Sequence, residues 1–191
     1  MRNQIRKTAR RRFLFARPIY KLPIAAALLL AVAAGIFFVL RGGPSQTVYA
    51  AARDDHYIEV VQRDPRPWLE TPEEIREFVR EELGDADFLE RFTPAGYQLK
   101  GALHCYLLNQ RYVHIVYEGG GREVSVFVRR KDAELPGAAL EVVNGCPLHA
   151  ASVKEFEVAG VQSRRYTVLI VGDLPRAEIL QIARAAAVGF T

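Results

Sequence analysis

Residues 97–130 read YQLKGALHCYLLNQRYVHIVYEGGGREVSVFVRR. Three runs rich in β-branched and aromatic side chains are separated by Asn109-Gln110 and by Gly119-Gly120-Gly121. Such residues suit a pleated, half-buried surface, and short Asn- or Gly-containing breaks between them are turn signals. In the third run Val124, Val126 and Val128 alternate with other residues, the period-2 pattern of a strand with one face buried. The stretch therefore predicts three antiparallel strands, over 97–108, 111–118 and 122–130, joined as a meander.

Working outward, a loop through Asn144-Gly145-Cys146-Pro147 leads to two further expected strands, 152–158 and 165–171, with Gly160 in the turn between them. Asp173-Leu174-Pro175 then opens a last helix over 176–187, with Ile179, Leu180, Ile182 and Ala183 on its buried side. Upstream, Thr71-Pro72-Glu73-Glu74 is a helix start. Thr71 serves as N-cap, Pro72 takes the first turn, and Glu74 completes a capping box. Ile75, Phe78, Val79 and Leu83 form its apolar face, Gly84 ends it, and Phe88, Leu89 and Phe92 suggest a further short turn. Residues 48–62 read as a short helix. Asp64-Pro65-Arg66-Pro67-Trp68 must be extended or turned, because each proline restricts itself and its predecessor. The expected class is α+β, an antiparallel sheet with helices packed on one face.

The N-terminal 50 residues belong to a different environment. Residues 22–40, LPIAAALLLAVAAGIFFVL, carry no charge. As a helix they would span about 28 Å, close to the roughly 30 Å of a bilayer's hydrocarbon core. Residues 1–21 contain Arg2, Arg6, Lys7, Arg10, Arg11, Arg12, Arg17 and Lys21 and no acidic residue. Positive charge stays on the cytoplasmic side, so Arg10, Arg11, Arg12, Arg17 and Lys21 set the orientation. The expectation is a bacterial inner-membrane protein crossing once, its N-terminus in the cytoplasm and its main domain in the periplasm. Its parts are a basic segment (1–21), a transmembrane helix (22–40), a linker (41–50) and a periplasmic domain (51–191). Anionic membrane lipid is the partner of the basic segment, and nucleic acid is not expected. Arg10-Arg11-Arg12-Phe13-Leu14 also matches the twin-arginine export pattern, with a cleavage site at Val48-Tyr49-Ala50. Seven residues separate that pattern from an apolar run too long for a signal core. A retained anchor is the reading taken, with a cleaved signal as its alternative.

Charge changes meaning once the chain is divided. The whole carries +4, but residues 1–41 hold nine basic side chains and no acidic one. The remainder has 17 basic against 22 acidic residues, a net −5. About 140 residues suffice for one domain with a real core.

Two cysteines, Cys105 and Cys146, in an oxidising compartment predict one disulfide. The competing reading is a copper or zinc site using Cys105, Cys146 and His149, since Cys146-Pro147-Leu148-His149 has a spacing found in metal sites. His104 and Cys105 are adjacent on a strand and point to opposite faces, so at most one can join a given site. No Cys-x-x-Cys, Gly-x-Ser-x-Gly, His-Glu-x-x-His or phosphate-cradling glycine loop occurs, so no catalytic residue, cofactor or enzymatic activity is expected. Trp68, the one tryptophan, and His56, after Asp54-Asp55, are the candidate partner contacts.

Gly96-Tyr97-Gln98-Leu99-Lys100-Gly101, followed by RYVHIVYE and REVSVFVRR, resembles the exported region of membrane-anchored bacterial anti-sigma factors. In that family a Gly-aromatic-x-Leu-x-Gly strand leads into a meander. The tail YTVLIVGDLPRAEI, residues 166–179, is similar to the family's closing strand, Asp-Leu turn and last helix. Pro65-Arg66-Pro67-Trp68 resembles its Pro-Trp loop. The likeness covers roughly residues 50–187. It implies an anchored sensor or regulator whose partner is a sigma factor, met directly or through another subunit. The family's cytoplasmic His-x3-Cys-x2-Cys zinc domain has no counterpart in residues 1–21, so no sigma-binding residue is carried over. An exported metal- or redox-handling accessory protein and a structural subunit of an envelope complex are the alternatives.

Overall fold

The computed structural model describes residues 47–190. The basic segment and the apolar stretch 22–40 lie outside them. Among the described residues no helix is long and apolar enough to cross a membrane.

Seven strands form one antiparallel sheet: β1 (Gln98–Leu107), β2 (Gln110–Gly119), β3 (Arg122–Arg130), β4 (Glu141–Val143), β5 (Cys146–Val153), β6 (Phe156–Gln162) and β7 (Tyr166–Gly172). Their spatial order is β1-β2-β3-β7-β6-β5-β4. The expected meander is present. Its turns sit at Leu108-Asn109 and Gly120-Gly121, all four with positive φ, as tight hairpins between twisted strands require.

Four helices complete the described fold: α1 (Val48–His56, continued by a π-helical turn Tyr57–Val61), α2 (Pro72–Leu83), α3 (Phe88–Arg91) and α4 (Arg176–Gly189). The start of α2 is as the sequence implies. Thr71 caps the Glu74 N–H and its hydroxyl donates to the Glu74 carboxylate at 2.6 Å, while Gly84 closes the helix with φ 76°.

Two expectations need correction. Helices cover both faces of the sheet, not one. Ile75, Val79, Phe88 and Ile179 of α2 to α4, with Phe92 and Phe190 just past the ends of α3 and α4, pack with Val124, Val126 and Val128. Val48, Tyr49 and Ala52 of α1 pack on the other face with Leu103, Phe127, Val158 and Leu169. Double coverage explains why β7, YTVLIVG, is buried at every position and shows no alternation. The expected strand 152–158 is instead split by a turn at Lys154-Glu155, and Asn144-Gly145 is a hairpin turn between β4 and β5. Gly160 consequently lies inside β6. A Cβ there would stand 2.6 Å from Leu135 Cδ1 and 3.2 Å from Tyr49 Cε1, so its bareness lets α1 and the Leu135 loop approach the sheet.

Candidate functional site: a buried polar network under helix α1

Helix α1 seats charged and polar residues against the sheet as well as apolar ones. Ala52, Arg53, His56, Glu59 and Val60 recur at the three-to-four-residue spacing of one helix face, and all are buried. Opposite them, the same sheet face carries Cys105 from β1, His114 from β2 and Ser125 from β3.

Ser125 is the hub. Its Oγ lies 2.6 Å from His56 Nδ1 and 2.7 Å from His114 Nε2. A hydroxyl has one proton, so it donates to one ring and accepts from the other. The other nitrogen of His114, Nδ1, is 3.1 Å from Glu59 Oε2 and 3.3 Å from Asp55 Oδ2. Glu59 in turn meets Arg66 Nε at 3.3 Å. Phe127 stacks on the His114 ring with centroids 4.2 Å apart, and the Trp68 edge approaches it at 5.2 Å. His114 and Ser125 are wholly inaccessible, and His56 is 1 % exposed.

Environment separates the two imidazoles. Burial, reinforced by the neighbouring His114 and opposed by Glu123, lowers the His56 pKa to about 3, so this ring is neutral. Burial also disfavours the charged form of His114, but hydrogen bonds and charge from Asp55 and Glu59 outweigh it and its pKa is raised. Desolvation, with the Asp55 and Glu59 charges added, pushes the Cys105 thiol up.

Carboxylate, imidazole and hydroxyl stand here in the order used to activate a serine nucleophile. Ser125 nevertheless has no exposed surface, and its hydroxyl is held between two rings. In this conformation no substrate atom reaches it. What the arrangement does is fasten α1 to β2 and β3 through a buried polar chain, with a high penalty for disturbing any member.

Beside the network a cavity of about 260 Å³ is bounded by Glu59, Val60, Arg63, Trp68, Lys100 and Glu123, among others. Gly101 shapes it: a Cβ there would meet both Leu69 O and Trp68 Cε3 at 3.2 Å. Glycine thus lets the Pro-Trp loop lie on β1, where Leu69 bridges to Ala102. The cavity's cations are paired, Arg63 with Glu123, Lys100 with Glu118 and Glu123, and Arg66 with Glu59 and Asp64.

The sequence-derived candidates fare unevenly. Trp68 borders the cavity and is half-buried. His56 is internal and cannot meet a partner at the surface. The expected disulfide is corrected. Cys105 and Cys146 are free, they belong to opposite faces of the sheet, and their strands are first and sixth in its order. Five strand spacings are about 24 Å, whereas bridged Cα atoms lie within about 7 Å. The same geometry rules out a shared metal site for Cys105, Cys146 and His149. Three residues apart on β5, Cys146 and His149 also face opposite ways.

Sequence reasoning missed Asp55, Glu59, His114 and Ser125. One signal was available: Ser125 is a polar residue inside the apolar run VSVFV, where a buried hydroxyl demands a partner.

No protein-family model matches the chain, and no curated protein matches it. Among solved structures it is similar to the Pseudomonas aeruginosa MucA/MucB complex, at 16 % identity over 48 % of this chain and 31 % of that one, with a TM-score of 0.36. A crystal structure of MucB in complex with MucA(peri) gives 16 % identity over 48 % of this chain and 33 % of that one, also at 0.36. The matched region spans about a third of the length of those chains.

Proposed function

We propose that this chain is a membrane-anchored regulatory or sensor protein of the anti-sigma-factor type, whose periplasmic domain binds a signal or protein partner at the Trp68 cavity. The observation that carries the reading is the double role of Glu59. It lines the cavity and also holds His114 in the network that seats α1, the first described helix after the apolar stretch. An occupant favouring one position of Glu59 shifts the population of seated and released α1, and so acts on the segment nearest the anchor. On the cytoplasmic side the partner is a sigma factor, met directly or through another subunit; membrane lipid is a further contact, and no nucleic acid is involved. The role is not catalytic, a reading supported by the burial of Ser125.

A retained anchor is supported by the seat of α1. Thr47 caps that helix, and Val48 and Tyr49 are buried in its first turn, Tyr49 donating to Pro136 O at 3.0 Å. Cleavage after Ala50 would remove all three.

The test is transcriptional. Deleting the gene in its host should change a discrete set of promoters sharing one recognition pattern, and the full chain should restore them while Trp68→Ala does not. Unchanged transcription, with the full chain co-purifying at fixed stoichiometry with envelope proteins, would replace this reading by that of a structural subunit.

A further inference from the structure

We infer that Asp55, Glu59, Cys105 and His114 form a binding site for a divalent transition-metal ion, zinc by the chemistry of the donors. The inference goes beyond the regulatory reading and does not depend on it.

The geometry groups three ligand atoms, and Glu59 offers a fourth through its contact with His114. The ligand atoms of Asp55, Cys105 and His114 all lie within 4.8 Å of one another. Glu59 Oε2 and Asp55 Oδ2 lie 3.1 and 3.3 Å from His114 Nδ1. A tetrahedron with metal–ligand bonds of about 2.1 Å has edges of about 3.4 Å. A charge-assisted N–H···O⁻ bond would draw in to about 2.7–2.9 Å. The Asp55 separation fits the first figure, and the Glu59 separation lies between the two. Asp55 Oδ2 is moreover buried with no well-aligned hydrogen bond, His114 Nδ1 standing 3.3 Å away as a charge partner, a costly arrangement for a carboxylate oxygen and a natural one for a ligand.

The surroundings are those of a supported metal site. Metal-binding histidines hold the other ring nitrogen in a hydrogen bond that fixes tautomer and orientation. Here His114 Nε2 is held by Ser125 Oγ, which is held in turn by His56 Nδ1. With Nε2–H donating to Ser125 and Ser125 donating to His56 Nδ1, the Nδ1 lone pair of His114 is left for the ion. Phe127 and Trp68 flank the ring and exclude water. Two carboxylates, a thiolate and a neutral imidazole around a doubly charged ion leave one negative charge, which Arg66 meets at Glu59 Oε1. The thiol proton of Cys105 leaves to solvent on binding. Two hard oxygen donors argue against copper(I), and mixed N, S and O donors in a tetrahedron suit zinc. The neighbouring cavity, which Glu59 also lines, is the entry path.

The test uses the full chain purified in detergent and loaded with zinc or cobalt(II) chloride. We expect about one zinc per chain after passage over chelating resin, and a thiolate-to-cobalt charge-transfer band in the cobalt form. The chain has only two cysteines, so the band's origin can be assigned by substitution. It should vanish in Cys105→Ala and persist in Cys146→Ala, whose thiol lies on the opposite sheet face. Ser125→Ala, which leaves every ligand in place, should weaken binding about 10–100-fold. Should Cys105→Ala not fold, judged by Trp68 emission, Asp55→Asn and Cys146→Ala decide. Folded wild-type protein retaining less than about a tenth of an equivalent, cobalt bound without the thiolate band, or a band lost in Cys146→Ala would each overturn the site.

Discussion

Replacing Ser125 by alanine isolates the network's contribution to the fold. The change removes one buried hydroxyl and scarcely any volume, yet it strands two ring nitrogens, His56 Nδ1 and His114 Nε2, in a region without solvent. A hydrogen bond contributes about 0.5–1.5 kcal/mol net, and a buried polar atom left without a partner costs about 1–3 kcal/mol. With partial relaxation of the two rings, Ser125→Ala should cost about 2–4 kcal/mol. The control is Ser152→Ala, an exposed serine bonded to Glu157, which should cost under about 0.5 kcal/mol. The assay is urea unfolding of the full chain in detergent, followed by fluorescence of Trp68, whose ring lies 5.2 Å from His114 and which is the chain's one tryptophan. His56→Leu combined with Ser125→Ala should cost clearly less than the two single changes added, because they share one bond. If Ser125→Ala shifts stability no more than Ser152→Ala, or if the two network changes simply add, the hydroxyl is not bridging the rings and the account of how α1 is seated fails.

Other outcomes follow from single features. Alkylating the unfolded chain without reductant should add two adducts by intact mass, and reductant should leave the unfolding midpoint unchanged; an oxidised pair would contradict the placement of Cys105 and Cys146 on opposite faces. Gly119→Ala puts a Cβ 2.3 Å from Gly96 O, a backbone atom that cannot swing aside, so it should cost about 3 kcal/mol or more in the same unfolding assay. Burial acts to raise the Glu123 pKa, but Lys100 and Arg63 outweigh it and hold the carboxyl below its ordinary 4.5. Its folded pKa is depressed, so this stabilisation is present above pH 4.5 and is lost as pH falls through the folded value. Glu123→Gln should therefore flatten the acid side of the stability profile below about pH 4.5, and an unchanged profile would remove Glu123 from the balance.

Whatever depends on neighbours in the chain was legible from the sequence. The cap at Thr71, the stop at Gly84, the three strands of 97–130 and the last helix rest on local propensity, capping and turn chemistry, which act over a few residues. Even there Lys154-Glu155 was lost, because a tight turn made without glycine or proline leaves little trace in an apolar pattern. Coverage of the sheet on both faces was not legible. A strand such as β7, buried all round, shows only that it is apolar, not what covers each side. The network was hidden for the same reason: Asp55, Glu59, Cys105, His114 and Ser125 span 71 positions on four elements. Spacing along the chain suggested instead that Cys146 and His149 belong together, and the pleat of β5 sends them to opposite sides. The sequence by itself thus determined the meander, the capped helices and the charge that separates residues 1–41 from the rest. Only the tertiary structure decided which polar residues share a buried space, because that depends on how α1 lies across three strands, a contact between distant segments that no local pattern encodes.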